Sequence, residues 1–246
     1  MRPVDKGSSS PYEKNKVYQD ALTYLEERIG LYCSYCEMPI KHVPEVEHIV
    51  AKSRGGDLTA WSNLLLACKY CNTRKLAEVT PETKEDYLWS DEYNTAIGYT
   101  YYNGFPQINE SELRKLDITG EIYKKAKNLY DLVSLDHIKD KNEKKKTRDR
   151  RFIERTATYY RAIDSLEGWQ ESKSAPKPFR ENLKKQIVMT VGAEGFFSVW
   201  LTVFSEEPEI CNALIESFPG TRKECYDESG TPQKMILEMK KDDDAL

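Results

Sequence analysis

The chain has 246 residues, a net charge of −4 and a pI near 5.6. Its length allows a large hydrophobic core, so folding does not require crosslinks. The acidic balance excludes nucleic-acid binding through overall positive charge and leaves that task to local basic patches. The sequence has no run of about 18 apolar residues, and its first residues lack the apolar centre of a signal peptide. We therefore expect no membrane partner and a cytoplasmic location.

Short elements alternate with turns in the first third of the chain. Apolar spacing between Pro11 and Ile29 predicts an amphipathic helix that ends at Gly30. The next residues read as strand, loop, strand and helix, with two adjacent glycines in the loop. These four elements are expected at 43–50, 52–57, 63–67 and from Cys68 onward.

Helical patterns dominate the remaining chain. Thr80-Pro81-Glu82 combines a threonine cap with a proline in the first turn, which is typical of a helix start. Residues 97–108 read as a hairpin with an Asn-Gly turn, and an apolar stripe over 122–133 predicts a helix. Further helices are expected at about 147–166, 178–191 and 195–204. The last of these has aromatic residues on several faces, so we expect it to be core.

Four of the six cysteines form two Cys-x-x-Cys pairs, Cys33 with Cys36 and Cys68 with Cys71. In a reducing compartment such pairs indicate metal binding rather than disulfides. Four thiolates are the ligands that a structural zinc ion prefers, so we expect a Zn²⁺ site here. The other two cysteines, Cys211 and Cys225, stand apart and are expected to be buried thiols.

An unusual insertion separates the two cysteine pairs. It has 31 residues, which exceeds the zinc-ribbon gap of roughly 15–20 residues. It contains Glu47-His48, Gly55-Gly56 and Trp61-Ser62-Asn63, and Asn72 follows the second pair. This combination resembles the zinc-containing HNH endonucleases, the ββα-metal nucleases. In that family a histidine after an acid ends the first strand, an asparagine lies on the second, and a further Asn or His lies on the helix, positions that His48, Asn63 and Asn72 occupy.

Hydrolysis of a phosphodiester needs a base that activates water and a cation that neutralises the developing negative charge. A neutral imidazole suits the first task, and the resemblance implies that His48 is the general base. It also implies that Glu47 and Asn72 hold Mg²⁺ or Mn²⁺, and that Asn63 supports the loop that orients His48. Many family members carry Asp where this chain has Glu47. Glu45, on the same strand face, is therefore the alternative ligand.

Two basic segments are candidates for phosphate contact. The first consists of Lys52, Arg54, Arg74 and Lys75 around the motif. The second, 139–155, carries nine Lys/Arg against four Asp/Glu and is either a nucleic-acid contact or a solvated helix face. DNA is the expected polymer and RNA the alternative. Trp61 and residues 64–66 are expected to be core rather than a base-stacking platform.

A weaker resemblance covers more of the chain. The order of features resembles the HNH subunit of Septu-type anti-phage systems (PtuB-like), with Trp89, a Tyr/Gly hairpin, Leu129–Asp136 and Arg148–Arg151 after an early HNH site. This resemblance implies a role in antiviral defence and a partner ATPase (PtuA-like) on which the helical half docks. The alternative for 129–135 is a plain helix stripe that packs within the chain.

The sequence thus predicts an α+β, mostly α protein with three segments. These are a helical lead-in at 1–30, a zinc-stapled HNH nuclease module at 31–80, and a mostly helical region for partner docking and substrate choice at 81–246. The expected function is metal-dependent hydrolysis of nucleic acid by an endonuclease. Two alternatives stay open: a zinc-organised module that binds nucleic acid or a partner without cutting, and a nuclease toxin that acts alone. The presence of both His48 and Asn72 favours catalysis.

Overall fold

The computed structural model describes residues 1–11, 17–138 and 149–234. Within these ranges the chain forms eight α-helices and two separate two-stranded antiparallel sheets. The predicted α+β class, with helix predominating, is confirmed. The elements are α1 (Ala21–Ile29), β1 (Glu45–His48), β2 (Leu64–Ala67), α2 (Lys69–Lys75), β3 (Tyr99–Tyr102), β4 (Phe105–Ile108), α3 (Glu110–Leu116), α4 (Glu121–Leu132), α5 (Arg151–Glu171), α6 (Lys177–Glu194), α7 (Phe197–Val203) and α8 (Pro208–Ser217).

The cysteine-rich third of the chain folds as the predicted strand, loop, strand and helix. β1 pairs with β2 so that His48 lies opposite Leu64 and Glu45 opposite Ala67. All four residues of β2 are buried. Helix α2 begins directly after Cys68, whose sulfur accepts a hydrogen bond from the Cys71 amide and so caps the helix. The short β-ribbon therefore lies between the interior of the protein and one small helix.

Two hydrophobic cores organise the described part of the chain. The larger one draws on residues between Met1 and Leu135, and so on all three predicted segments. The second lies among α5 to α8, between Ala162 and Tyr226. Trp61 and the residues at 64–66 belong to the first core, and the run 195–204 contributes mainly to the second, so both are core as predicted. None of the helices in the described ranges is both long and apolar enough to span a bilayer.

Several sequence expectations differ from the structure. No α-helix starts at Thr80; the residues make turns and a short 3₁₀ segment at Lys84–Asp86, and the chain becomes extended at Tyr87. Helix α8 was not predicted from the sequence. The predicted helix at 147–166 begins at Arg151 in the described part of the chain, and residues 139–148 of the second basic segment lie outside the described residues.

The first residues of the chain form buried contacts with distant parts of the sequence. Lys6 pairs with Asp91 at 2.6 Å, and Val4 forms a β-bridge with Thr221. The Arg2 guanidinium donates to the carbonyls of Ile29 and Pro219. Charged side chains are buried here because each finds a partner, which the sequence pattern did not indicate.

Candidate active site

The four paired cysteines meet at one buried point. Their Sγ atoms all lie within 4.8 Å of one another, and the sulfurs of Cys36 and Cys68 are 3.7 Å apart. Tetrahedral zinc with Zn–S bonds of about 2.3 Å separates its sulfur ligands by about 3.8 Å. The cluster thus fits a closed structural zinc site with four thiolate ligands. Among the described residues it is the one group of three or more His, Cys, Asp or Glu side chains placed to hold a metal.

The loop between the two strands is held by Asn63. Its side-chain nitrogen donates to the carbonyls of Val50 (3.0 Å) and Asp57 (2.7 Å), and its Oδ1 accepts from the Val50 amide at 2.8 Å. The Asp57 carboxylate in turn accepts from the amides of Thr59 and Ala60. These bonds fix both ends of the loop and the backbone around Leu58.

Gly56 is required by the tight packing of this loop. A Cβ atom at this position would lie 1.8 Å from the Val50 carbonyl oxygen, so any side chain would displace the backbone. Its neighbour Gly55 has a φ of +90°, which favours glycine. The two adjacent glycines are therefore favoured for different structural reasons.

His48 lies at the end of β1, half-buried, with its ring against the fixed loop. Its Nε2 is 3.0 Å from the Leu58 carbonyl oxygen. Because a carbonyl only accepts, Nε2 must carry the proton, and the lone pair of the neutral ring lies on Nδ1. Burial lowers the pKa of His48, and the contribution of the Leu58 carbonyl partly opposes this shift. The imidazole is therefore neutral at neutral pH.

Tyr18 packs edge-on against the His48 ring, with the ring centroids 4.8 Å apart. It reaches the site from the turn before α1, far from the motif in sequence. No spacing pattern pointed to this contact.

Glu47 and Lys75 form a buried ion pair beneath the site. Lys75 Nζ lies 2.7 Å from Glu47 Oε1 and 2.8 Å from the His48 carbonyl oxygen. The other Glu47 oxygen accepts a hydrogen bond from the Tyr35 hydroxyl at 2.6 Å. Burial, reinforced by the Glu47 carboxylate, raises the pKa of Tyr35 well above its usual range, so the phenol remains a donor. Tyr35, which lies between Cys33 and Cys36, was not predicted from the sequence to belong to the site.

The positions of Glu47 and Lys75 differ from the sequence expectation. Glu47 was expected to face a divalent ion and Lys75 a phosphate. Both side chains are 1% exposed, and both Glu47 oxygens already have a donor. Strand and helix geometry explains the pairing, since α2 covers the β1 face that carries Glu45 and Glu47.

Glu45 and Asn72 meet at the more exposed edge of this interface. Asn72 Nδ2 donates to Glu45 Oε2 at 2.8 Å. This bond directs the amide nitrogen toward the carboxylate and leaves the Asn72 oxygen available as an acceptor. Carboxylate and amide oxygens are ligands that suit a hard divalent cation. The pair therefore fits a role in holding Mg²⁺ or Mn²⁺.

The match to a known family covers this same region. Residues 33–78 match the family model described as HNH endonuclease. These residues form an HNH endonuclease domain. The match includes both cysteine pairs, both strands of the ribbon and α2. Comparison of the chain with curated proteins and with solved structures gave no match.

Three of the four basic residues expected near phosphate lie on the surface of the HNH domain. Lys52 and Arg54 are exposed in the loop, where Arg54 Nε donates to the Ala77 carbonyl at 2.7 Å. Arg74 is exposed on α2 and lies 3.2 Å from a ring nitrogen of His137. Lys75 is the exception, because it belongs to the buried pair.

The remaining cysteines are ordinary buried thiols, as predicted. Cys211 and Cys225 are both free and buried. Burial raises the pKa of each thiol to about 12, so both stay protonated. They lie in the second core, apart from the zinc-binding cluster.

Proposed function

We propose that the chain is a metal-dependent endonuclease that hydrolyses phosphodiester bonds through the HNH domain, with His48 as general base. The observation that carries this proposal is the 3.0 Å contact between His48 Nε2 and the Leu58 carbonyl. It fixes the tautomer and directs the basic Nδ1 away from the loop. A neutral imidazole with one nitrogen held this way is suited to take a proton from water at neutral pH.

The divalent ion is held by Asn72 together with Glu45. Their contact at the edge of the β1–α2 interface supports this assignment, and the two oxygen donors suit Mg²⁺ or Mn²⁺. When bound, the ion neutralises negative charge at the scissile phosphate. The family resemblance implies Glu47 as the ligand, with Glu45 as the alternative. The ion pair of Glu47 with Lys75 favours a supporting role behind His48 instead.

The exposed cations of the loop and α2 contact the phosphate backbone. Lys52, Arg54 and Arg74 are exposed on the HNH domain, whereas the chain as a whole is acidic. Such local contacts give affinity without sequence preference and make binding sensitive to salt. DNA is the proposed polymer, and RNA is the second substrate class to test.

We further propose that the enzyme acts within an anti-phage complex, together with a PtuA-like ATPase. The weak resemblance to the Septu-type HNH subunit and the large helical region outside 33–78 support this role. Co-expression with an ATPase encoded beside it tests the idea: co-purification together with restrained cleavage is expected. A nuclease that is fully active alone and binds no ATPase would instead be the stand-alone toxin.

Catalysis is tested by a substrate panel. The zinc-loaded protein is incubated with plasmid DNA, single-stranded DNA or RNA, each with Mg²⁺, with Mn²⁺ or without added divalent ion. Cleavage of at least one polymer only when the ion is added is the expected result, and the panel names the substrate. Binding without cleavage of any polymer would leave the zinc-organised binding module as the function.

A further inference from the structure

Two arginines of α5 are buried, and one of them contacts the cysteine cluster, although α5 lies outside the matched HNH residues. Arg151 Nη1 lies 3.2 Å from Cys71 Sγ. Arg151 and Arg155 are one helical turn apart and each is 1% exposed. Both guanidinium groups are therefore buried in the protein interior, and that of Arg151 contacts a thiol of the cluster.

Arg155 has no acidic partner in the part of the chain that the structure describes. Its Nε donates to the Gly104 carbonyl at 2.8 Å and its Nη2 to the Leu135 carbonyl at 3.0 Å. Its Nη1 is buried without a hydrogen-bond partner. A buried cation with only neutral acceptors is strongly unfavourable unless a negative charge lies nearby.

Within the described ranges, Arg151 forms its ion pair with Asp149. Its guanidinium binds the Asp149 carboxylate, with Nη2 2.7 Å from Oδ2, and also donates to the carbonyls of Val133 and Ser134. Asp149 and the two arginines together carry a charge of +1. These three groups therefore leave one positive charge uncompensated among themselves.

A zinc ion with four thiolate ligands supplies the missing negative charge. Zn²⁺ and four S⁻ sum to −2, and the four cysteines are fully buried, so this charge needs compensation within the protein. We propose that Arg151 and Arg155 are the counter-charges of the zinc–thiolate centre and make helix α5 a structural part of it. The proposal concerns the zinc centre and does not depend on the nuclease reaction.

Two consequences follow from this arrangement. Removal of a guanidinium weakens the hold on zinc, because the thiolates lose the positive charge that stabilises them. Loss of zinc leaves two buried arginines without sufficient negative charge, which weakens the docking of α5. Since α5 also contributes Ala162 and Trp169 to the second core, zinc links the HNH domain to the helical half.

Zinc release from the full chain tests the first consequence. Arg155→Met and Arg155→Lys are compared with the wild type and with Arg150→Met, whose side chain is exposed and pairs with Glu154 on the same helix. Each protein starts with equal zinc, and transfer to a coloured chelator is followed by absorbance. We expect release at least tenfold faster from Arg155→Met, an intermediate rate from Arg155→Lys, and the wild-type rate from Arg150→Met. Equal rates for Arg155→Met and the wild type would overturn the proposal.

Cobalt substitution reports on the charge at the sulfurs themselves. A nearby cation stabilises the sulfur lone pairs, so its removal lowers the energy of the sulfur-to-cobalt charge-transfer band. The Co²⁺-loaded Arg155→Met protein should show this band at longer wavelength than the wild type and Arg150→Met. An unchanged band in a folded Arg155→Met protein would contradict a counter-charge role.

The wild type alone tests the second consequence and covers the case in which Arg155→Met does not fold. Amide hydrogen exchange is measured with zinc bound and after its removal. Faster exchange in both 33–78 and 151–171 is the expected result. If 33–78 loses protection while 151–171 keeps it, α5 is not part of the zinc centre.

Discussion

Lys75 binds Glu47 and the backbone carbonyl of His48 with the same ammonium group, at 2.7 and 2.8 Å. The ion pair therefore fixes the main chain of the proposed general base from inside the protein. Tyr35 extends this support to the zinc-binding turn, since its hydroxyl binds the second Glu47 oxygen. The zinc cluster, the buried pair and the end of β1 thus form one connected unit.

Lys75→Met should destabilise the fold and slow cleavage. Removing one partner of a buried ion pair typically costs about 3–5 kcal/mol, because the remaining charge is left uncompensated. Chemical denaturation followed by circular dichroism measures the loss. The double variant Glu47→Gln/Lys75→Met should recover part of it, and Lys69→Met, at an exposed position of α2, should match the wild type. Wild-type stability of Lys75→Met would show that the pair contributes little.

Glu45→Gln and Glu47→Gln should have different effects. If Glu45 holds the divalent ion, Glu45→Gln raises the Mg²⁺ concentration needed for half-maximal cleavage and leaves the unfolding midpoint unchanged. Glu47→Gln should instead lower the unfolding midpoint, because it breaks the pair with Lys75. Mg²⁺ titrations of cleavage, combined with thermal unfolding, measure both quantities. The reverse pattern would return the ligand role to Glu47.

Gly56→Ala should reduce cleavage at least tenfold while zinc content stays constant. The added Cβ would meet the Val50 carbonyl oxygen at 1.8 Å, so the loop that carries Leu58 must move away from His48. Gly168→Ala, in the last turn of α5 with open space around its Cβ, is the matched control. It should be as active as the wild type and more stable by up to about 1 kcal/mol. Full activity of Gly56→Ala would mean that this loop geometry is unnecessary.

Cys68→Ser and Cys211→Ser should distinguish the zinc-binding cysteines from the buried free thiols. Loss of one thiolate opens the four-cysteine site, so Cys68→Ser should lose its zinc and melt at a lower temperature. Cys211 lies apart in the second core, and its protonated thiol donates to the Phe204 carbonyl. Metal analysis of purified protein should therefore find zinc in Cys211→Ser at the wild-type level. Zinc retained by Cys68→Ser would remove that residue from the site.

Local sequence signals predicted much of the HNH domain because they depend on short-range chemistry. The Cys-x-x-Cys spacing places two thiols on one turn, and Cys68 both joins the cluster and caps α2. The Asn103-Gly104 turn has positive φ at both residues and makes the predicted hairpin of β3 and β4. These features need no information from distant parts of the chain.

The positions that the sequence did not predict depend on long-range contacts. Strand periodicity places Glu45 and Glu47 on one face of β1, but only the fold shows that α2 covers this face and that Lys75 is buried there. From the sequence alone, a lysine or arginine is expected on the surface, because these residues are buried only when they are paired. Arg155 illustrates this, because its guanidinium donates to the carbonyls of Gly104 and Leu135, which are distant in the sequence.

His48 is the proposed general base of the nuclease. The most direct test of this role is the single-turnover rate of plasmid cleavage in Mg²⁺ by the wild type, His48→Ala and His42→Ala, each with the same bound zinc. His42 is exposed outside β1 and serves as the histidine control. Loss of a general base predicts a rate lower by about 10²–10⁴-fold for His48→Ala and the wild-type rate for His42→Ala. Cleavage by His48→Ala as fast as by the wild type would contradict the account.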